Sequence, residues 1–169
     1  MFDGTDGHVT IPNGNTVSSI EAWVNPVTVA SINILQLTAG ATITTSAAGV
    51  VTATGFTSPT VYLNGSTVDL VLKAGQWNHV VVSSGTGIST STGYLGRVST
   101  SYFKGTMDAV RFYNRALTAG EVTQLYQENE VCLPHVARAA AIMTNGLVVG
   151  ATITDSGCGY TNAPMVTIQ

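Results

Sequence analysis

Along most of the chain, apolar and polar residues alternate one by one in short runs: "HVTI", "SIEAWV", "INILQL", "ATITT", "GVVTA", "TVYL", "TVDLVL", "WNHVVVS" and "GTMDAVRFY". A period of two marks strands that turn one face to a core. Between the runs lie "IPNGN", "LTAG", "SAAG", "YLNGS", "KAGQ" and "SSGTG", whose Gly and Asn residues supply the positive φ that hairpin connections require. Many short strands at close spacing predict a sandwich or a barrel. In "SIEAWV", Ile20, Ala22 and Val24 share one face while Glu21 and Trp23 share the other. With both faces covered, such a strand is an inner one.

One helical signal stands out. Thr118 precedes Glu121 by the spacing of a capping box, ahead of "VTQLYQEN", and predicts a helix of about two turns. Val122, Leu125 and Tyr126 would face the core, and so short a helix has to lean on the sheet. After "ENE" the character changes, which places a boundary near Val131: a β-sandwich over 1–131 and a short β-repeat appendage over 132–169. In the appendage "ARAAAIM", "LVVGATIT" and "PMVTIQ" read as three strands, with Asn145-Gly146 as a type I′ turn. A tail this short cannot bury a core, so it is expected to pack on the sandwich or to continue into a longer repeat array.

Composition narrows the classes. The 169 residues suit one cored domain with an appendage. Charged residues are 9% of the chain, against about a quarter in ordinary soluble domains, which favours β structure with a polar, uncharged surface. A net charge of -3 with six Lys+Arg provides no basic stripe for a phosphate backbone, so nucleic acid is not expected as a partner. No run reaches membrane-span length, and Met1 leads into "FDGTDGHV" without a basic-then-apolar leader. Low charge, a Thr/Ser-rich surface and two cysteines favour an extracytoplasmic setting.

Five motifs in series carry a resemblance. "FDGTDGHVTIP", "SIEAWVNP", "VYLNG", "GQWNHVVVS" and "YFKGTMDAVRFYNRALTAGEVTQLY" together, over residues 2–126, resemble the laminin-G-like (LamG) domains of bacterial surface and secreted proteins. In one respect the order differs: "VYLNG" at 61–65 precedes "GQWNHV" at 75–80, whereas many members carry the Trp-His strand first. The resemblance implies an all-β, concanavalin A-like jelly-roll β-sandwich of two antiparallel sheets with one short helix. "VVGATITDSGCGYTNAPMVTI" is similar to small Gly-Tyr-Thr β repeats that follow such domains in bacterial surface proteins and occur in phage structural proteins. About one repeat is present, which reads as a truncated spacer.

The same architecture hosts laminarinase-like glycoside hydrolases, which place paired acids on one strand as Glu-x-Asp-x-x-Glu. Among Asp3, Asp6, Glu21, Asp69, Asp108, Glu121, Glu128, Glu130 and Asp155 no such spacing occurs, and Glu21 has no partner at strand spacing. No Ser sits in a Gly-x-Ser-x-Gly elbow, and His8, His79 and His135 lie in separate elements, so catalysis is not expected. His79 lies opposite the core valines and reads as a sheet-face histidine bonded to a neighbour, ahead of a metal ligand. Trp23 and Trp77 occupy positions where the resembled family keeps core tryptophans. Sugar stacking falls instead to Tyr94 and Tyr102, in the Gly/Ser/Thr-rich loops of "STGYLGRVSTSYF".

Cys132 and Cys158 are either two free buried thiols or, in an oxidising compartment, a disulfide that ties the repeat to its linker, and the compartment favours the bridge. For Asp108 the resemblance implies one structural Ca²⁺, held by its carboxylate, by main-chain oxygens of Phe2, Asp3 and Gly4, and by the Asp3 carboxylate. Hard oxygen ligands suit calcium, and an acid on an inner strand is costly to desolvate without a cation. Arg111, three residues on, points to the other face unless a bulge intervenes. The alternative is a carboxylate paired with Arg111 or capping a turn. These expectations amount to a noncatalytic extracellular or cell-surface binding or adhesion module, part of a larger secreted protein, with carbohydrate or a cell-surface glycan as ligand. The alternative is a structural or protein-protein spacer of a surface or phage-derived fibre.

Overall fold

A computed structural model describes residues 1–129 and 138–155. The chain divides into two units, Met1–Glu128 and Asn129–Gln169. The first opens with β1 (Phe2–Asp3), β2 (Val9–Ile11) and the long β3 (Thr16–Pro26). Next come β4 (Asn33–Thr38), β5 (Ala41–Thr45), β6 (Val51–Thr54), β7 (Thr60–Leu63) and β8 (Asn78–Ser89). The short β9 (Gly93–Leu95), β10 (Arg97–Val98) and β11 (Ser101–Tyr102) lead into β12 (Lys104–Tyr113) and the helix α1 (Ala119–Asn129).

These strands form two antiparallel five-stranded sheets, ordered β1-β12-β3-β8-β7 and β2-β9-β4-β5-β6, with β10 and β11 as a separate ribbon. The first unit is all-β with one helix, as the period-two runs and the capping box predict. The alternation explains the layering. Ile20, Ala22 and Val24 of β3 and Val80 and Val82 of β8 meet Ile34, Leu35 and Leu37 of β4 and Ile43 of β5 in one buried cluster. At about 25 cal/mol per Å², this shared apolar face is the main source of stability.

β3 lies between β12 and β8, and its outward face is covered too. There Leu117, just ahead of α1, and Val122 of α1 pack on Tyr62 and Val81, with Tyr113 and Leu125 beside them. Thr118 caps the helix: its Oγ1 accepts from Glu121 N at 3.3 Å, and its own N donates to Glu121 Oε2 at 2.8 Å. The capping box is therefore formed at the expected residue, but the helix runs 11 residues, a turn longer than expected. Val122 is fully buried, and Tyr126 stacks on Trp23 with ring centroids 5.9 Å apart.

Trp77 departs from the expectation of a core tryptophan. It is 37% exposed, whereas Trp23 is 8% exposed. The cause is local, because Asn78 ties down the turn before β8. Its Oδ1 accepts from Lys73 N at 2.9 Å, and its Nδ2 donates to the carbonyls of Lys73 (2.9 Å) and Gln76 (2.8 Å). Strand alternation thus begins at Asn78 and leaves Trp77 in the turn.

In the second unit β13 (Arg138–Thr144) and β14 (Leu147–Asp155) form an antiparallel hairpin. Asn145 (φ 50°) and Gly146 (φ 80°) both have the left-handed backbone of a type I′ turn. The third expected strand, "PMVTIQ", and the proposed Cys132–Cys158 bridge lie outside the described residues.

Candidate functional site

The two tyrosines singled out in the sequence come together. Tyr94, on β9, and Tyr102, on β11, flank the guanidinium of Arg97, whose Cζ lies 4.6 Å from one ring centroid and 5.5 Å from the other. His8 completes the group: its ring meets Tyr94 edge-on at 5.2 Å and Tyr102 at 6.0 Å. Arg97 pairs across the ribbon with Tyr102, so the two side chains share a face. Gly96 makes this ribbon possible. Its φ is 78°, and a Cβ there would collide with the Phe2 ring.

Arg97, His8 and the segments that flank the tyrosines are held by polar contacts. Arg97 Nε donates to the Ser99 carbonyl at 2.6 Å. The buried Gln36 donates from Nε2 to Thr92 O at 3.1 Å and accepts at Oε1 from Ser99 N at 3.0 Å, tying the start of β9 and the β10–β11 turn to β4. His8 Nδ1 donates to the Asp6 carbonyl at 2.8 Å, since a carbonyl only accepts. In the neutral ring this leaves Nε2 as an acceptor. The loop carrying His8 is in turn organised by Asp3, whose Oδ1 accepts from the main-chain N of Thr5 (2.8 Å), Asp6 (3.3 Å) and Gly7 (3.4 Å). These bonds hold the Asp3 carboxyl below the usual carboxylate range.

Tyr94 also belongs to a row on the outer face of the second sheet. Register aligns it with Thr10 on one side and Gln36 on the other, and Gln36 with Thr42 and then Thr54. A second row places Thr44 opposite Thr52, their hydroxyls 3.0 Å apart. The aromatic-cationic group thus borders a sheet face of hydroxyls and one amide.

Asp108 differs from its expected setting. It is exposed, and its Oδ1 accepts from the neighbouring Ala109 N at 2.7 Å. β1 does pair with β12, but Phe2 lies opposite Gly105 and Asp3 opposite Lys104. Asp108 is thus three strand positions farther on, about 10 Å along the strand. Among the described residues no three His, Cys, Asp or Glu side chains gather as a metal cage. An exposed carboxylate incurs little desolvation penalty, so the physical case for a compensating cation does not hold at Asp108.

That case applies to Glu21, which sequence spacing left without a partner. Glu21 is fully buried, yet Arg111 Nη1 donates to Oε1 and Oε2 at 2.9 and 3.0 Å, Tyr113 OH donates to Oε2 at 2.7 Å, and His79 Nε2 lies 3.3 Å from Oε1. Arg111 reaches it because of a bulge. Asp108 pairs with Trp23 and Arg111 with Glu21, so β12 spends one extra residue there, and Ala109 takes a φ of 47°. Asp108 and Arg111 therefore share a face. Burial alone would raise the Glu21 pKa, but the bonds from His79, Tyr113 and Arg111 outweigh it and the net shift is downward. Burial, followed by the bond to this carboxylate, pushes the Tyr113 hydroxyl up to about 12. His79 is thus bonded to a sheet neighbour, as expected. Trp23 Nε1 and His79 Nδ1 are buried without hydrogen-bond partners among the described residues.

A third feature is a mainly apolar cavity of about 320 Å³, bordered by Val9, Ile11, Val17, Leu95, Val110 and Phe112. It opens beside Val9 and Phe112, which are 55% and 39% exposed. Comparison of the chain with protein-family models, curated proteins and solved structures gives no match.

Proposed function

We propose that the first unit is a noncatalytic binding module of the concanavalin A-like jelly-roll class, and that it binds carbohydrate through Tyr94, Tyr102, Arg97 and His8. The observation that carries the reading is the convergence of two tyrosine rings, a guanidinium and an imidazole on the border of a Thr-lined sheet. Sugar rings present C–H faces that pack on aromatic rings, and hydroxyls that pair with planar polar groups such as guanidinium and amide. The jelly-roll assignment is supported by the non-sequential order of both five-stranded sheets. Against catalysis speaks the position of Glu21, the one carboxylate among the described residues with His, Arg and Tyr around it. It is fully buried under α1 and out of a substrate's reach. An extracellular or cell-surface setting accompanies the proposal on composition.

A glycan array probed with the wild-type protein and with Tyr94→Ala/Tyr102→Ala tests the reading. Binding by the wild type that the double variant loses while keeping its melting midpoint is expected. A wild type that binds no glycan, or a double variant that binds as well as wild type, rejects it. Release of reducing ends from laminarin-type glucans would contradict the noncatalytic part. A protein-binding spacer is the second reading, favoured by the apolar cavity opening beside Val9 and Phe112, and it predicts an empty array.

A further inference from the structure

We propose that the Arg97 cluster selects acidic saccharides, with the guanidinium receiving the carboxylate of a hexuronate residue whose ring packs on Tyr94 or Tyr102. This inference rests on the saccharide reading above and adds the ligand's charge to it. The starting point is how the first unit uses its arginines. Arg111 is paired with Glu21 and Arg115 with Glu121, but no ion pair among the described residues involves Arg97. In a chain with so few charges, an arginine fixed in place without a counter-ion among the described residues is a prepared anion receptor.

Its geometry fits a carboxylate. The Nε–H is already committed to the Ser99 carbonyl, which orients the guanidinium plane and leaves the two Nη groups to donate. A planar fork of this kind matches a carboxylate in bidentate fashion, which a lysine cannot do. The flanking rings lie within cation–π distance and hold the cation without neutralising it. A hexuronate carries its carboxylate at the rim of a pyranose ring, so one residue offers both an anion for Arg97 and a C–H face for tyrosine. The Nε2 of His8, with Nδ1 held by Asp6 O, remains to accept from a sugar hydroxyl.

The test uses hexasaccharides of galacturonic, glucuronic, mannuronic and guluronic acid, each beside its carboxyl methyl ester, which keeps the ring and removes the charge. Titrations run in chelator, so that calcium bridging cannot substitute for the arginine. At least one acid is expected to bind the wild type about tenfold more tightly than its ester, the value of one charge-assisted hydrogen bond. Arg97→Gln should bring that ratio to about one, and Arg97→Lys should restore only part of it. Melting midpoints check that the variants fold. Equal binding of acid and ester, or an acid preference that survives Arg97→Gln, overturns the acidic selectivity and leaves the saccharide reading standing. So does binding confined to neutral glycans. If no glycan binds, the saccharide reading fails together with this inference.

Discussion

Removing the Glu21 carboxylate would take a partner from Arg111, Tyr113 and His79 at once, because all three converge on it. Glu21→Ala is expected to cost about 2–3 kcal/mol in denaturant unfolding, because it leaves buried polar groups of His79 and Tyr113 unpaired while Arg111, 46% exposed, can turn to water. Tyr113→Phe should cost about 1 kcal/mol, since it removes one hydrogen bond and leaves the carboxylate otherwise paired. A cost below about 1 kcal/mol for Glu21→Ala would mean that the cluster does not hold the layer together. The pH dependence has a definite sign. The Glu21 carboxyl is depressed below its ordinary 4.5 in the fold, so its contribution is present above about 4.5 and is lost as pH falls through the lower folded value. Wild type should therefore lose stability on acidification more steeply than Glu21→Gln. The sequence shows Glu21 alternating with core residues but cannot show its partners, which come from β8 and β12 through long-range pairing and a one-residue bulge. The identity of His79 as a bonded sheet-face residue was readable, because it required only the period of its own strand. Arg97, Gln36 and His8 were missed, because Gln36 reaches Thr92 and Ser99, and His8 the two tyrosines, only after strands distant in sequence pair, and the Arg97–Tyr102 ribbon is too short to show a period.

At the level of elements, α1 and the β10–β11 ribbon are the two pieces whose placement can be tested separately. Thr118→Ala removes the N-cap and should lower stability by about 1 kcal/mol, measured by thermal unfolding. Arg115 first, then the Thr118 main chain, holds the Glu121 carboxyl down to about 2. The capping box is thus intact above about 4.5 and opens as pH falls toward 2, which amide exchange at residues 119–122 would report. Unchanged protection there between pH 5 and pH 2 would contradict it. Gln36→Ala should release the ribbon from β4 and weaken glycan binding several-fold, even though Gln36 does not belong to the aromatic group itself. Binding equal to wild type would show that the ribbon needs no such tether. The Asn145-Gly146 hairpin turn and the capping box were readable from local chemistry. The extent of α1 was not, since helix length here follows from seating Val122, Leu125 and Tyr126 on the sheet rather than from propensity.

For the whole molecule, period two was enough to predict an all-β sandwich or barrel and the capping box its helix, while the two antiparallel sheets were what the resemblance implied. The order of strands was beyond it, because neighbours such as β1 with β12 and β3 with β8 are far apart in sequence. The exposed position of Asp108 bears on calcium at this scale. A Ca²⁺ that pins β1 to β12 through Asp108 would raise the thermal midpoint in millimolar calcium over chelator for the wild type but not for Asp108→Asn. The observed register, which separates Asp108 from Phe2–Gly4, predicts midpoints that coincide in both proteins, and a calcium-dependent rise abolished by the substitution would contradict it.

The Arg97 border of the second sheet is the place proposed for the glycan. The direct measurement is amide chemical-shift mapping during titration with a glycan that binds on the array. Shifts confined to Gly93–Tyr102 and to the Asp6–His8 loop, saturating with one affinity, are the predicted result. Shifts that gather instead around the Val9–Phe112 cavity, or that spread without saturation, would contradict it.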